Sequence, residues 1–257
     1  MCRPALLAAA LALACGSSRV SITGEPKYGK TAEEDYLAGV AEAKSGNNSE
    51  ATKFLEHVRA KYPFSRYAAL AELRLADLKA QQDRNVEAAE AYAAFVRMHP
   101  KHEEADRAAF REAESLAKDG PSDTFILPPA EERELKAVRE AAGKLQAFLK
   151  SYPDSKYRPE AQKLGDALRA RLAAHEWYAA GFYAKRGRWA GAAGRWETLV
   201  RNYPGSAHEV DALLAMADAY LRLDDRFRAR QALQQLVVKH PGDPRRAEAE
   251  RRLAEIR

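Results

Sequence analysis

The sequence predicts an all-α protein: a helical-hairpin solenoid of about five repeats with one long central helix. Two observations carry that prediction. The 257 residues are rich in Ala, Leu, Arg and Glu and hold only 14 glycines, a composition that favours helices. An alanine followed twelve residues later by a proline recurs five times, at Ala51/Pro63, Ala88/Pro100, Ala141/Pro153, Ala192/Pro204 and Ala229/Pro241.

The residues between each alanine and proline repeat too. Eight before the proline stands Leu55, Tyr92, Leu145, Trp196 or Leu233, and five before it Val58, Phe95, Phe148, Leu199 or Leu236. Alanine and these two positions fall four and seven apart, on one helix face. The alanine lets a paired helix approach closely, and the proline ends the helix. Three corners read Tyr-Pro-x-Ser, at Tyr62, Tyr152 and Tyr203, and the serine there is expected to cap the next helix. His99 and His240 take the tyrosine's place in the other two corners and are read as corner-packing residues. Pro63 to Pro100 and Pro204 to Pro241 each span 37 residues, close to the tetratricopeptide (TPR) repeat of about 34 residues.

Taken in order, residues 1–14 carry one basic residue, Arg3, and then ten apolar ones from Ala5 to Ala14. That is a secretory signal pattern, too short for the roughly twenty residues that span a bilayer. Leu11 to Cys15 resembles a bacterial lipobox, with Ala12 where leucine is usual. The expected chemistry is lipidation of Cys15 and a membrane anchor of several acyl chains; the alternative is a soluble periplasmic protein with Cys15 free. Residues 15–31 read as a flexible tether, about sixteen residues spanning roughly 20–25 Å.

Residues 32–157 are expected to hold the N-terminal repeats. Helix pairs are placed at about 32–44 with 49–61 and 67–81 with 86–98, with Gly46-Asn47-Asn48 as the first turn. The third repeat is stretched, because Pro100 and Pro153 stand 53 residues apart. A helix over 103–118 is followed by a loop at 119–130, whose Phe125-Ile126-Leu127 would pack on the solenoid or meet a partner. Residues 158–257 are expected to hold a helix of about 27 residues from Pro159 to Lys185, the second helix of the fourth repeat before Pro204, a fifth pair at about 208–223 with 226–239, and a charged, solvated last helix from about Pro244. The long helix would join the two groups of repeats.

Charge is uneven. Residues 158–257 carry 19 Lys/Arg against 13 Asp/Glu. The basic half suits an acidic protein surface, nucleic acid or anionic lipid, or is a solvated arginine-rich helical surface. Abundant Glu/Arg pairs read as solvated faces. There is no glycine-rich phosphate loop, no Gly-x-Ser-x-Gly and no His-Glu-x-x-His. The six histidines are scattered without metal-ligand spacing. A non-enzyme without cofactor or metal is expected.

Several stretches resemble the BamD family, a lipoprotein component of the outer-membrane β-barrel assembly machinery. They are Tyr152-Pro-Asp-Ser-Lys-Tyr157, Leu168-Arg-Ala-Arg-Leu-Ala173 with His175-Glu-Trp-Tyr178, the turn Phe182-Tyr183-x-Lys-Arg186-Gly-x-Trp189 with Arg195, and Lys61-Tyr-Pro-Phe-Ser65. The resemblance covers about residues 32–241; the third repeat's first helix departs from the family pattern. It implies tandem TPR pairs and a scaffold role at the periplasmic face of the outer membrane. The C-terminal half would dock the POTRA domain of the barrel-inserting subunit, and the N-terminal half would receive unfolded barrel precursors; no nucleic-acid partner is expected. Arg186 is the candidate contact for an acidic partner residue, with Arg188, Trp189 and Arg195 as neighbours. The alternative for Arg186 is a helix C-terminal cation complementing the dipole. Tyr36, Tyr67 and Arg74 are candidates for gripping an extended peptide, or the tyrosines are inter-helix packing. A second reading of the whole chain is a periplasmic TPR adaptor of the Tol-Pal-associated type, although that family begins with a coiled coil, for which this sequence has no room.

Overall fold

The computed structural model describes residues 26–120 and 135–256. The signal stretch, Cys15 and Phe125–Leu127 lie outside the described residues. Among the described residues are eleven α-helices and no strands: α1 Ala32–Lys44, α2 Asn48–Lys61, α3 Arg66–Gln81, α4 Asn85–Met98, α5 Ala105–Asp119, α6 Lys136–Ser151, α7 Arg158–Lys185, α8 Trp189–Asn202, α9 Glu209–Arg222, α10 Arg226–Lys239 and α11 Arg246–Glu255. Each helix packs on the one before and the one after it, and α1 also touches α3. This is a stack of five hairpins closed by α11, the TPR-type solenoid that the repeat predicts. No described helix is long and apolar enough to cross a membrane.

The repeated triplets build the core. Each of the five ladder alanines is fully buried, and the ten aliphatic or aromatic residues that follow them are at most 6% exposed. The short alanine side chain leaves room for the paired helix, and the larger residues four and seven positions on fill the gap beside it. The corners share one geometry. Tyr62, His99, Tyr152, Tyr203 and His240 are the C-caps of α2, α4, α6, α8 and α10, with φ near −125°, and each cap N–H donates to the carbonyl four residues back. Proline then prevents a further helical turn.

The serine caps hold at one corner only. Ser65 Oγ accepts from Ala68 N at 3.2 Å as N-cap of α3. At the third and fourth corners the helix starts two residues later, capped at Tyr157 and His208, so the serine stands outside the first turn. Ser155 Oγ instead donates to Asp106 Oδ2 at 2.6 Å.

The turn inside a hairpin is also a repeated device. Gly46, Asp83, Gly187 and Asp224 all adopt positive φ, between 57° and 80°. At each, the N–H of the next residue reaches back to the carbonyl five residues before it: Asn47 to Glu42, Arg84 to Lys79, Arg188 to Tyr183 and Asp225 to Tyr220. These are Schellman turns, which need a left-handed residue at this position. Glycine adopts it freely; aspartate does so at some steric cost.

Helix α7 has 28 residues and is about 42 Å long. Pro159 sits in its first turn, where a missing N–H costs nothing. Its N-terminal half, through Leu168 and Leu172, belongs to a core shared with α5 and α6. Its C-terminal half, through Ala173 and Ala180, belongs to the core of α8, α9 and α10. Tyr203 packs against both cores. The expected spine is therefore a helix common to two cores.

Two ends differ from expectation. The chain is held in place before α1, where a flexible tether was expected through Thr31: the Tyr28 ring stacks on His57 with centroids 3.7 Å apart, and Gly29 N donates to the buried Asp35 carboxylate. The last helix is not wholly solvated, because Ala249 and Ile256 join the C-terminal core. Arg245 ties the corner before it, bonding to Asp243 and Asp211. Hydrogen bonds from Arg245 hold the Asp243 carboxyl down at about 2. That contribution is present above the ordinary carboxylate range and fades as pH falls towards 2.

Ala192→Leu is expected to overpack the α7–α8 contact and lower stability by about 1–3 kcal/mol. Ala190→Leu, on the exposed side of α8, is expected to change it by less than about 0.5 kcal/mol. Urea titration followed by helical circular dichroism measures both.

Candidate protein-docking site

The end of α7 presents the predicted arginine in a defined setting. Lys185 ends the helix, Arg186 is its C-cap and Gly187 follows at φ 69°. A Cβ on Gly187 would meet nothing within 4 Å, so backbone conformation, not packing, asks for glycine there. Arg186 is exposed. Its guanidinium lies over the Phe182 ring, 3.5 Å from the centroid, and Nη1 donates to the Phe182 carbonyl oxygen at 3.3 Å. Stacked and tethered in this way, the guanidinium leaves part of its donor edge towards solvent at little remaining entropic cost. The carbonyl bond also shows the C-terminal capping role. The two readings of Arg186 are compatible, because one nitrogen caps while the others remain available.

The neighbours divide. Arg188 is exposed at the N-cap of α8 and makes no side-chain cap bond. Trp189 is half-buried, with the Arg222 guanidinium 4.3 Å from its ring centroid. Arg195 points elsewhere: Nη1 donates to Glu176 Oε2 at 3.1 Å. Glu176 is only 4% exposed, so Arg195 neutralises a buried carboxylate rather than presenting a charge. The pair is not the solvated helix face that Glu/Arg spacing suggested.

A surface stripe absent from the sequence candidates adjoins Arg186. Ala174, Trp177, Tyr178, Gly181, Phe182 and Lys185 line a shallow groove on α7 that ends at Arg186 and His208. Tyr178 is 41% and Phe182 44% exposed, large for aromatic side chains. Trp177 is fixed by a parallel stack on His208, with centroids 5.2 Å apart. The 174/177/178/181/182/185 spacing was readable as a second face of α7. It lies beside the better packed 173/176/180 face, whose burial masks it in the sequence pattern.

The N-terminal candidates lie elsewhere. Tyr36 is 9% exposed within the core of α1, α2 and α3, and its ring is 5.5 Å from that of Tyr67. That burial corrects Tyr36 as a peptide-gripping residue and leaves it the inter-helix packing role. Tyr67 is half-buried beneath the Arg66 guanidinium, which also donates to its hydroxyl at 2.7 Å. Arg74 is exposed but engaged, donating to Asp77 Oδ2 at 3.1 Å. Asp77 also accepts from Tyr92 and from Arg107, so one carboxylate joins α3, α4 and α5. Burial, together with Asp77, pushes the Tyr92 hydroxyl far above its ordinary pKa, and it stays a donor at every physiological pH. Among the described residues no group of three His, Cys, Asp or Glu is placed to hold a metal ion.

The histidine corners are more specific than packing. His99 Nε2 lies 2.9 Å from Glu72, and His240 Nε2 lies 3.5 Å from the buried Glu209. In both, the corner of a hairpin meets an acid on that hairpin's first helix.

A family model described as "YfiO: Outer membrane lipoprotein" matches residues 29–236. The chain belongs to this family. The matched span runs from the stretch held against α2 to Leu236 of α10, so it takes in both cores and the Arg186 turn. The outer membrane protein assembly factor BamD of Xylella fastidiosa (strain 9a5c) is 28% identical over 206 residues, covering 78% of this chain and 70% of that one. The factor of the same name from Vibrio cholerae is 28% identical over 236 residues, covering 90% and 95%. A thermophilic TPR protein of Thermus thermophilus is similar in structure at 15% identity and a TM-score of 0.36, covering 88% of this chain and 98% of that one.

Arg195→Ala leaves the buried Glu176 without its partner and is expected to lower stability by about 1–2 kcal/mol, the pair being partly solvent-screened. Partner capture below the unfolding transition is expected to stay as in the unsubstituted chain, which separates Arg195 from Arg186. Denaturant midpoints and a pull-down on the same variant give the two readouts.

Proposed function

We propose that this protein is a non-catalytic, lipid-anchored scaffold of outer-membrane protein assembly. On this reading it is held to the periplasmic face of the outer membrane through Cys15. It docks the POTRA domain of the barrel-inserting subunit at the C-terminal end of α7, and its N-terminal hairpins help receive unfolded barrel precursors. Family membership and the assembly-factor relatives support the general role. The observation that carries the docking site is the exposed Arg186 guanidinium, stacked on Phe182 at the end of an aromatic groove. A planar cation beside exposed aromatic area suits a partner surface with a carboxylate set among apolar residues. Arg188 adds a second exposed cation on the same turn. Trp189 and Arg195 serve from behind by holding α8 against its neighbours.

The solenoid suits a scaffold. Its hairpins each contact only their neighbours, and the long α7 links the two cores so that the halves keep a fixed relation. For the precursor-receiving half, Tyr67 and Arg74 remain surface residues but are already engaged. The grip on an extended chain would thus draw on more of the surface than these two side chains.

Arg186→Glu is expected to reduce co-purification of the barrel-inserting subunit at least tenfold, while helical content and thermal midpoint stay within error. Unchanged capture would overturn the docking site, and loss of fold would show that Arg186 acts chiefly as a cap. Cys15→Ala is expected to move the protein from the membrane fraction to the soluble fraction. Retention in membranes through a high-salt wash would contradict the lipid anchor.

A further inference from the structure

A second groove lies far from Arg186, where α6 and the end of α8 flank α7. It is an open depression of about 620 Å³. Two of its lining residues are glycines in mid-helix, Gly143 on α6 and Gly165 on α7. Neither is required by packing. A Cβ on Gly143 would meet nothing within 4 Å, and one on Gly165 would touch only Leu145, at 3.9 Å. Neither has positive φ. Alanine would fit at both positions and would strengthen both helices. The absence of side chains does one visible thing: it keeps this surface open to the close approach of another backbone.

The charge of the same groove is equally unexplained by the fold. Arg139 of α6, Arg169 of α7 and Arg201 of α8 all line it, and all three are exposed. None forms an ion pair with a carboxylate among the described residues, whereas most arginines of α10 and α11 do. One acid, Asp166, shares the groove, leaving a net charge of two positive. The amide side chains of Gln146 and Gln162 also line the groove, and an amide can pair with both the N–H and the C=O of a peptide unit.

We propose that this groove binds an extended, acidic segment of a partner protein. The segment's backbone lies over Gly143 and Gly165, its peptide groups meet Gln146 and Gln162, and its carboxylates engage Arg139, Arg169 and Arg201. A guanidinium takes a carboxylate through two parallel hydrogen bonds. Three arginines contributed by three separate helices suit carboxylates spaced along a chain better than one compact anionic head group. Gly165 lies 21 residues before Arg186 on the same helix, a rise of about 32 Å. The groove is thus a separate surface, and the proposal does not depend on docking at Arg186.

The test uses the full chain carrying Cys15→Ala, which avoids detergent. The probes are a fluorescein-labelled decapeptide of alternating Glu and Val, its Gln/Val counterpart, and vesicles with 30% phosphatidylglycerol. Fluorescence anisotropy is expected to show binding of the Glu peptide, weakened by salt, and at least tenfold weaker binding of the Gln peptide. Arg139→Gln with Arg169→Gln is expected to weaken the Glu peptide at least tenfold. Gly143→Leu is expected to do the same by filling the groove, with an unchanged or raised thermal midpoint because leucine is the better helix former. Arg186→Glu is expected to have no effect on this peptide. The proposal is overturned if the Glu peptide does not bind, or if Gly143→Leu binds it as before, which would leave only general charge attraction. It is also overturned if vesicle binding, and not peptide binding, responds to these substitutions.

Discussion

Close approach of paired helices at a buried alanine is the contact on which the structure depends. It recurs in every hairpin, at Ala51, Ala88, Ala141, Ala192 and Ala229, each with no exposed surface. A larger residue would push the helices apart, and a glycine would weaken the helix that carries it. With the helices fixed at this distance, the aliphatic and aromatic residues four and seven positions on must meet the neighbouring helix. The corner that follows is set by the C-cap and proline. Five copies of this contact set five hairpins, and the stack follows from repeating them.

The interruption of the repeat gives the molecule its two-part character. Helix α7 is twice the length of the fourteen-residue α8, α9 and α10, and it supplies side chains to two cores in succession. A long helix also has more outer surface than short neighbours can cover. The stripe from Ala174 to Lys185 and the groove around Gly165 are both such uncovered surface. Both uncovered surfaces thus lie on the element that holds the halves together.

Much of this was legible in the sequence, and what was not has identifiable physical causes. The ladder of alanine and proline located all five second helices, because burial and helix termination both leave fixed residue types. The extent of α7 was legible because nothing in 159–185 stops a helix. The serine caps were legible only where the helix begins directly after the serine, as at Ser65. At Ser155 and Ser206 the corner runs on for two more residues, a difference of backbone path that the Tyr-Pro-x-Ser pattern does not encode. Asp83 and Asp224 occupy a left-handed position usually marked by glycine, so the place of those turns was legible and their left-handed geometry was not. The buried acids Asp35, Glu176 and Glu209 look in sequence like solvated helix residues; only their partners, Gly29 N, Arg195 and Gly205 N, show why they can be buried. At the proposed docking site, Arg186 was singled out by the resemblance of its turn to the family pattern, its spacing alone fitting a helix cap equally well. Its stack on Phe182 and the separate employment of Arg195 depend on which way side chains lie across helices.

The central claim is that the C-terminal end of α7 is a partner-facing surface while the residues behind it hold the fold. Site-specific photocrosslinking in cells, with a photoreactive phenylalanine analogue placed at Phe182 or at Trp189, tests it most directly. The account predicts a strong adduct with the barrel-inserting subunit from position 182 and little or none from the half-buried position 189. An adduct from position 189, or from the remote and exposed Met98 on α4, with none from position 182 would contradict it.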